Sequence, residues 1–416
     1  MNINSFFKNR AVITLTLANV FEVLGISIFN IVILTYAKDF PNANLFVSIA
    51  SVASIFPGIL GLILGRLADN TRKKSAALIR IKIYQAFIYI LLANIITAKT
   101  TNIFFLVILI NITSDILGMY SNNLQAPIVQ KRVPSNLQRT TLGISQSVSM
   151  LVQPIGQSIG VVTLSLWHSY AIAGYINAIA FILSAIVLYL GKSSIKLSSK
   201  FSSKSNKRKK SFLSIFKQIF KTLRTASGVN VPLLLISIML ANTLTAGFSV
   251  INNLFLLDHP NVSGLPYSVS VLCVSIANII GAIIGSLFHT RLTDKITLQR
   301  LISFEIICLV VLFINLWVFH YFLLILIPYF LLGWSIGQFN PKLDSEILKI
   351  SDPNIIGSVF GAITSIATVA SPIGSVGLVL IYNLFPTWIT FSIVISILLV
   401  QFIFTTSNSM ISPKKI

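Results

Sequence analysis

The chain has 416 residues, of which 55% are hydrophobic and only 10% are charged. Soluble domains carry about 25% charged residues, so this composition excludes a globular protein surrounded by water. The formal net charge of +21 does not indicate nucleic-acid binding, because the basic residues lie between apolar runs and not on one folded face. Two cysteines are too few for a disulfide framework or a zinc site, and we expect neither a metal nor a cofactor.

The apolar runs predict twelve membrane-spanning helices, since a span needs about 20 mainly apolar residues. In chain order the predicted spans are 11–36, 45–65, 76–98, 102–128, 140–165, 171–190, 231–256, 267–289, 301–319, 321–346, 355–382 and 386–405. The sequence therefore predicts an all-α integral membrane protein with two six-helix bundles. The predicted bounds are 1–190 and 231–405 for the bundles, 191–230 for a basic cytoplasmic linker and 406–416 for a cytoplasmic tail.

Lysine and arginine are distributed unequally between the two sides of these predicted spans. Of the 31 basic residues, 29 fall on the side of the N-terminus, and only Lys38 and Lys99 fall on the other side. This count places Lys82 in a cytoplasmic segment. The positive-inside rule then puts both termini in the cytoplasm, and we expect a multi-pass protein of the bacterial inner membrane.

Two short patterns recur at matching places in the two halves of the chain. The residues RLAD at 66–69 return as RLTD at 291–294, an offset of 225. A second set returns at an offset of 218, in which the pairs are Gly143 and Gly361, Pro154 and Pro372, and Gly156 and Gly374. Parallel repeats of this kind are an architecture of membrane transporters.

At these positions the chain resembles the major facilitator superfamily. The segment GRLADNTRKK at 65–74 is similar to the superfamily's loop G-x-L-A-D-r-x-G-R-K/R, with Asn70 and Arg72 in place of the usual residues. The residues around Pro154 resemble an antiporter motif in weakened form, with Gln153 where glycine is usual. The resemblance covers essentially the whole chain and implies the major facilitator fold.

Two stretches are most similar to the macrolide-efflux and siderophore-exporter branch. These are GISQS at 143–147 and GSVF at 357–360. Exporters often carry an arginine in the fourth span, but here that region reads TSD at 113–115. The resemblance therefore supplies no arginine for a proton relay at this place.

The resemblance also implies a gate at the cytoplasmic ends of the helices. Asp69 would accept hydrogen bonds from the N-terminus of the eleventh span near 354–357, where the helix dipole supplies partial positive charge. Arg132 and Arg139 are candidate partners of its carboxylate. The candidate gate residues are Gly65, Asp69, Arg72, Arg132, Arg139 and Asp294. Helix bends that face the cavity, or alternatively ordinary close packing, are predicted at Pro154, Gly156, Pro372 and Gly374.

A few acidic residues fall inside predicted spans, with Glu22 in the first and Asp115 in the fourth. A charge in hydrocarbon costs roughly 2.5–3.5 kcal/mol on insertion scales, so each needs a reason. Because no basic residue is found at mid-depth, we expect Glu22 to be a proton carrier or, alternatively, a cation contact, and not part of a salt bridge. Glu22 and Asp115 are the candidate proton-coupling residues. Glu305 lies about one turn inside the ninth span, and we expect it to form an interfacial ion pair with Arg300 or Arg291.

Polar residues recur at helical spacing along several spans, which predicts a water-filled cavity or, alternatively, hydrogen bonds between helices. We expect the cavity to suit a bulky amphipathic solute, because an anion site would need an intramembrane arginine or lysine. The predicted cavity residues are Asn19, Asn111, Asn122, Gln125, Gln153, Gln157, Asn242, Trp334 and Gln338.

Together these features predict a secondary transporter and not an enzyme. The predicted spans contain no candidate set of a nucleophile, a general base and a residue that orients the base. The predicted activity is proton-coupled efflux of amphipathic, drug-like or macrolide-like molecules by alternating access. The alternatives are a nutrient importer or symporter, a narrow-substrate exporter of a siderophore or peptide, and a membrane sensor or scaffold. The expected partners are the small-molecule substrate, protons and the lipid bilayer, without nucleic acid, and we expect a monomer.

Overall fold

The computed structural model describes residues 9–42, 45–46, 49–50, 53–197, 231–288 and 291–410. Within these ranges every regular element is a helix, and the predicted all-α fold is confirmed. Ten of the described helices are long and apolar enough to cross a membrane. Most of the predicted linker, residues 198–230, and the end of the predicted tail, residues 411–416, lie outside the described residues.

The helices divide between the two halves of the chain. The first half forms α1 (Arg10–Lys38), α2 (Phe56–Ile59), α3 (Gly61–Asn70), α4 (Lys74–Ile95), α5 (Thr101–Arg132), α6 (Ser135–Trp167), α7 (Tyr170–Leu190) and α8 (Lys192–Ile195). The second half forms α9 (Val231–Asp258), α10 (Tyr267–Leu287), α11 (Arg291–Lys295), α12 (Leu298–Ile314), α13 (Leu323–Ile350), α14 (Ile356–Leu384) and α15 (Thr387–Met410). A π-helical segment, Asn315–Phe319, continues α12.

Most predicted spans agree with these helices to within a few residues at each end. The predicted span 45–65 is described only in part, and its second portion is divided between the short helix α2 and α3. The last span, predicted to end at 405, continues to Met410. The apolar part of that helix, Trp388–Ile403, is shorter than the other candidate spans.

Several helices begin at a polar residue that caps the free backbone N–H groups of the first turn. The Asn9 side chain accepts hydrogen bonds from the backbone of Ala11 and Val12 at the start of α1. Thr100 and Thr297 cap α5 and α12 in the same way. Such caps typically stabilise a helix by about 1 kcal/mol, and they fix where each span begins.

The outer surface of the helices is apolar, while the core of the first half is aromatic. Leu109, Ile179 and Leu190 are more than half exposed, as expected for helices that face lipid. In contrast, Phe29 and Tyr89 are buried and pack edge to face, with ring centroids 5.0 Å apart.

Glycines allow three pairs of helices to approach closely. A Cβ built at Gly65 on α3 would lie 2.1 Å from the carbonyl oxygen of Gly357 on α14. The same construction at Gly156 on α6 would lie 2.8 Å from the Ser27 Cβ of α1, and at Gly374 on α14 it would meet the α9 backbone. These contacts fix α3 against α14, α6 against α1, and α14 against α9.

Candidate functional site

Asp69 lies at the end of α3, and its carboxylate faces the N-terminus of α14. The carboxylate oxygens accept hydrogen bonds from the backbone N–H groups of Gly357 and Ser358, both at 2.8 Å, and from the Ser358 hydroxyl at 2.6 Å. Because α14 begins at Ile356, these N–H groups have no partner within their own helix. The partial positive charge of the helix terminus adds to the attraction. This contact joins the two halves at the predicted cytoplasmic end.

The predicted pairing of Asp69 with Arg132 is wrong. Arg132, at the end of α5, donates to the backbone carbonyl oxygen of Lys196, which belongs to the same half. Positive charge beside Asp69 comes from Lys74, whose ammonium group donates to the carbonyl oxygens of Ala68 at 2.5 Å and Asp69 at 3.3 Å. The hydrogen bonds from the N-terminus of α14 satisfy the Asp69 carboxylate without an arginine.

Arg139 likewise does not pair with Asp69, and instead forms a second bridge between the halves. Its guanidinium pairs with the Asp294 carboxylate and donates to Gln338 Oε1 at 2.7 Å. The Gln338 amide in turn donates to a backbone carbonyl oxygen at 3.0 Å. Gln338 is only 1% exposed, so in this conformation it belongs to the bridge and not to the predicted substrate cavity.

Two contacts that the sequence did not predict close the same end. The Gln130 amide on α5 donates to the backbone carbonyl oxygens of Leu348 and Ser351, at 2.6 and 2.8 Å. The hydroxyls of Ser147 on α6 and Ser286 on α10 form a hydrogen bond to each other. We use the name closed end for this set of contacts together with those of Asp69 and Arg139.

A cavity of about 200 Å³ lies between the halves beside the closed end. Two of the predicted cavity residues, Asn122 and Gln125, line it, together with Thr141 and other hydroxyl-bearing side chains. The second half contributes Leu348, Phe360 and Thr364. The described residues that line the cavity include polar and apolar side chains, but none of them carries a formal charge.

A buried ion pair joins α1 to α4, and it overturns the expectation that Glu22 has no basic partner. The Lys82 ammonium nitrogen lies 2.5 Å from a Glu22 carboxylate oxygen, and the two side chains are only 1% and 4% exposed. Lys82 also donates to Gln85 Oε1 at 3.1 Å, and Gln85 donates to the Ser114 carbonyl oxygen at 2.9 Å. Lys82 therefore does not lie in a cytoplasmic loop, and the argument against an intramembrane cation is wrong.

Asp115 belongs to a neighbouring chain of hydrogen bonds in the same half. The Asn111 amide donates to the Asp115 carboxylate at 3.1 Å, and the Tyr89 hydroxyl donates to the Asn111 amide oxygen at 3.0 Å. Gly118, one turn further along α5, lies beside the Glu22 carboxylate. The two predicted proton-coupling acids are therefore held on the same side of α5 by polar partners in the core of the first half.

Comparison with known proteins places this architecture in a family. The Major Facilitator Superfamily model matches residues 15–375. The chain belongs to the Major Facilitator Superfamily. It is therefore a multi-pass membrane protein of a transporter family. None of the curated proteins matches the chain at the significance required.

Solved structures of other transporters share the superfamily fold. The human organic anion transporter MFSD10 (TETRAN) is 14% identical, with a TM-score of 0.69, and the match covers 95% of this chain and 99% of that one. A bacterial homologue of the iron transporter ferroportin, in an outward-facing state, is 12% identical with a TM-score of 0.72. That match covers 96% of this chain and 99% of the homologue. At these identities the likeness establishes the fold and not the substrate.

The remaining predicted cavity residues of this superfamily member do not line the cavity beside the closed end. Asn19 donates to the Ser149 hydroxyl at 2.8 Å, and Asn242 donates to a backbone carbonyl oxygen of its own helix. Gln153 and Gln157 are exposed on α6. The ring of Trp334 packs against another aromatic ring, with centroids 5.7 Å apart.

In the part of the chain that the structure describes, Glu305 does not form the predicted ion pair with Arg300. Its carboxylate accepts a hydrogen bond from the Thr245 hydroxyl on α9 at 3.1 Å. Arg300 is exposed and makes no ion pair with Glu305 in the described part of the chain, and the Arg291 side chain lies outside the described residues. The prediction placed Glu305 too close to the helix end, because α12 begins at Leu298.

The proline and glycine pairs predicted to bend helices lie in continuous helices. α6 runs unbroken through Pro154, and α14 runs unbroken through Pro372. Gly156 and Gly374 have the close packing described above, which was the alternative explanation of the motif. Arg72, predicted in the gate, is exposed on the turn that follows α3.

Proposed function

We propose that this chain is a proton-coupled exporter of amphipathic small molecules that works by alternating access as a monomer in the bacterial inner membrane. The observation that carries the proposal is the cavity of about 200 Å³ between the halves, closed at the predicted cytoplasmic end. Its amide, hydroxyl and apolar lining suits a solute that is partly polar and largely hydrophobic.

Transport requires the closed end to open toward the predicted cytoplasm. Opening breaks the hydrogen bonds of Asp69 with Gly357 and Ser358, together with the bridge between Arg139 and Asp294. Hydrogen bonds to charged groups contribute about 1.5–3 kcal/mol each. These contacts therefore stabilise the closed state relative to the state that is open to the predicted cytoplasm. Substrate binding at the cavity, or a change in protonation, shifts the equilibrium between the two states.

The proton-coupling residues that we propose are Glu22 and Asp115. Protonation of Glu22 would remove the negative partner of Lys82 and leave a buried ammonium group without a counter-charge. That state is costly in a medium of low dielectric constant, and we propose that a rearrangement of α1 and α4 relieves it. Asp115 lies in the adjoining network of hydrogen bonds. The same rearrangement would therefore change the surroundings of this second acid.

The test is energy-dependent efflux of ethidium from a drug-sensitive bacterial host that expresses the chain. We expect efflux that a protonophore abolishes, that Glu22→Gln removes and that Asp69→Asn lowers at least tenfold. The matched control is Asp352→Asn, which alters an exposed acid at the same end whose described side-chain hydrogen bonds are with Asn354. Each variant must be present in the membrane at the wild-type level. Efflux no higher than with empty vector, for ethidium and a macrolide panel, would contradict the proposal.

A second candidate function is transport of organic anions, and a specific observation favours it. Lys82 supplies the buried cation that an anion site requires, and the human structural relative is an organic anion transporter. A negatively charged substrate would compete with Glu22 for the Lys82 ammonium group. Efflux of an anionic dye that Lys82→Gln abolishes, without efflux of ethidium, would favour this candidate. Accumulation of the dye would instead indicate an importer.

A further inference from the structure

The α1–α4 ion pair has a counterpart in the second half at a constant offset of 223 residues. Asn19 corresponds to Asn242, Glu22 to Thr245 and Lys82 to Glu305. The helices correspond as well, because α4 spans Lys74–Ile95, and α12 with its π-helical extension spans 298–319. Each half therefore places one polar contact between the equivalent pair of helices.

The chemistry of the two contacts differs. In the first half, Glu22 and Lys82 neutralise each other at 2.5 Å. In the second half, the position of Lys82 is taken by the acid Glu305, and the position of Glu22 is taken by Thr245, whose hydroxyl donates at 3.1 Å. A hydroxyl can solvate a carboxylate but cannot neutralise it. The second half thus carries an acid where the first half carries a cation.

The surroundings of Glu305 supply no opposite charge at its depth in the part of the chain that the structure describes. Its neighbours on α12 include the buried Ile302, Ile306, Cys308 and Leu309. The segment 231–258 that forms α9 has one charged residue, Asp258 at its far end, and the segment 387–410 that forms α15 has none. These two helices and α13 pack against α12.

The charged residues of α13 lie near its predicted cytoplasmic end. Lys342 donates to the Asp294 carbonyl oxygen, and Asp344, Glu346 and Lys349 follow it along the helix. Glu305 is seven residues from the start of α12, about 10 Å at 1.5 Å per residue. Tyr329, the other titratable group of α13, packs against Phe248.

We infer that Glu305 is a proton-binding site of the second half, in addition to Glu22 and Asp115 in the first. The inference rests on the proposed proton-coupled function and extends it. A bare carboxylate among apolar side chains is costly, whereas a carboxylic acid is neutral and keeps a hydrogen bond with Thr245. One carboxylate oxygen binds the proton, and the same proton leaves when the contact between α9 and α12 opens to water. Each half then takes part in proton binding.

The decisive test labels the purified full-length protein in lipid with dicyclohexylcarbodiimide, an apolar reagent that adds to protonated carboxyl groups. Mass spectrometry locates the product. We expect labelling at Glu305 that decreases steeply as the pH rises, and that is absent in Glu305→Gln. The exposed acids Asp294 and Asp352 serve as controls and stay unlabelled under the same conditions. No label at Glu305 at any pH, or label independent of pH, would overturn the inference.

A transport measurement then separates this inference from the proposed function. In proteoliposomes, Glu305→Gln is expected to reduce the number of protons moved per ethidium molecule, whereas Cys308→Ser, one turn further along α12, leaves it unchanged. If the wild type moves no ethidium, the proposed function fails, but the labelling result still decides whether Glu305 binds a proton. An unchanged proton-to-ethidium ratio in Glu305→Gln would contradict a role for this proton in coupling.

Discussion

Glu22 and Lys82 form a polar contact that links α1 to α4 inside the first half. Both side chains are almost fully buried, so each charge has lost its hydration and depends on the other. Gln85 ties Lys82 to α5 through the Ser114 carbonyl oxygen. A change of charge at one member of this group therefore affects contacts of three helices.

We predict that removal of either charge alone destabilises the protein strongly. Lys82→Met or Glu22→Gln leaves an uncompensated buried charge, which typically costs about 3–5 kcal/mol. The double variant removes both charges and is expected to recover most of that loss. The measurement is the thermal unfolding of all four proteins in detergent, arranged as a double-mutant cycle. Additive losses in the double variant would show that the two groups do not depend on each other.

At the residue scale, the sequence predicts the acids better than their partners. Glu22 and Asp115 could be found because an acid in a long apolar run is rare. Lys82 was missed because it follows several basic residues near the start of α4, where the charge count assigned the whole group to a loop. Lys82 lies three residues before Gln85, in a helix that continues to Ile95. This position inside a long helix is the signal that could have revealed it.

At the scale of helices, the contact between α3 and α14 determines how closely the two halves approach. The backbone of Gly65 lies against that of Gly357, and Gly61 lies against Gly361. No side chain fits between these backbones while Asp69 keeps its hydrogen bonds with the α14 terminus. The two features therefore belong to one closed state.

We predict that Gly65→Val opens the closed end, because its side chain would overlap the Gly357 carbonyl oxygen. The readout is the rate at which a membrane-permeant maleimide alkylates Thr364→Cys in the cavity, with both native cysteines replaced by serine. The rate is expected to rise about tenfold, equivalent to about 1.4 kcal/mol. Gly377→Val is the matched control, since nothing lies within 4 Å of a Cβ at that position of α14. Equal rates in the two valine variants would refute this account of the contact.

The positions of most helices could be predicted from the sequence because long apolar runs bounded by charge have few other solutions in a membrane. The contacts between helices could not be predicted in the same way. Gln130 and Ser147 bind partners more than 100 residues away, and their sequence neighbourhood gives no indication of this. The motif at 65–74 was the exception, since its resemblance to a family pattern implied that Asp69 meets the terminus of α14.

At the scale of the whole molecule, the contacts that join the two halves lie beside the cavity. The hydrogen bonds of Asp69 and the bridge between Arg139 and Asp294 connect opposite halves at the predicted cytoplasmic end. The equivalent helix pairs carry Glu22 with Lys82 in one half and Glu305 with Thr245 in the other. In our account, movement of one half against the other changes the access of water to these groups, which couples proton binding to transport.

The central claim is that this member of the superfamily exchanges protons for an amphipathic solute. The most direct measurement uses purified protein in proteoliposomes that contain a pH-sensitive dye and hold a proton gradient. Addition of ethidium to the side from which it is exported is expected to accelerate the decay of the gradient, and Glu22→Gln is expected to abolish this acceleration. Uptake of ethidium that proceeds equally well without a proton gradient, and leaves the pH dye unchanged, would contradict the account.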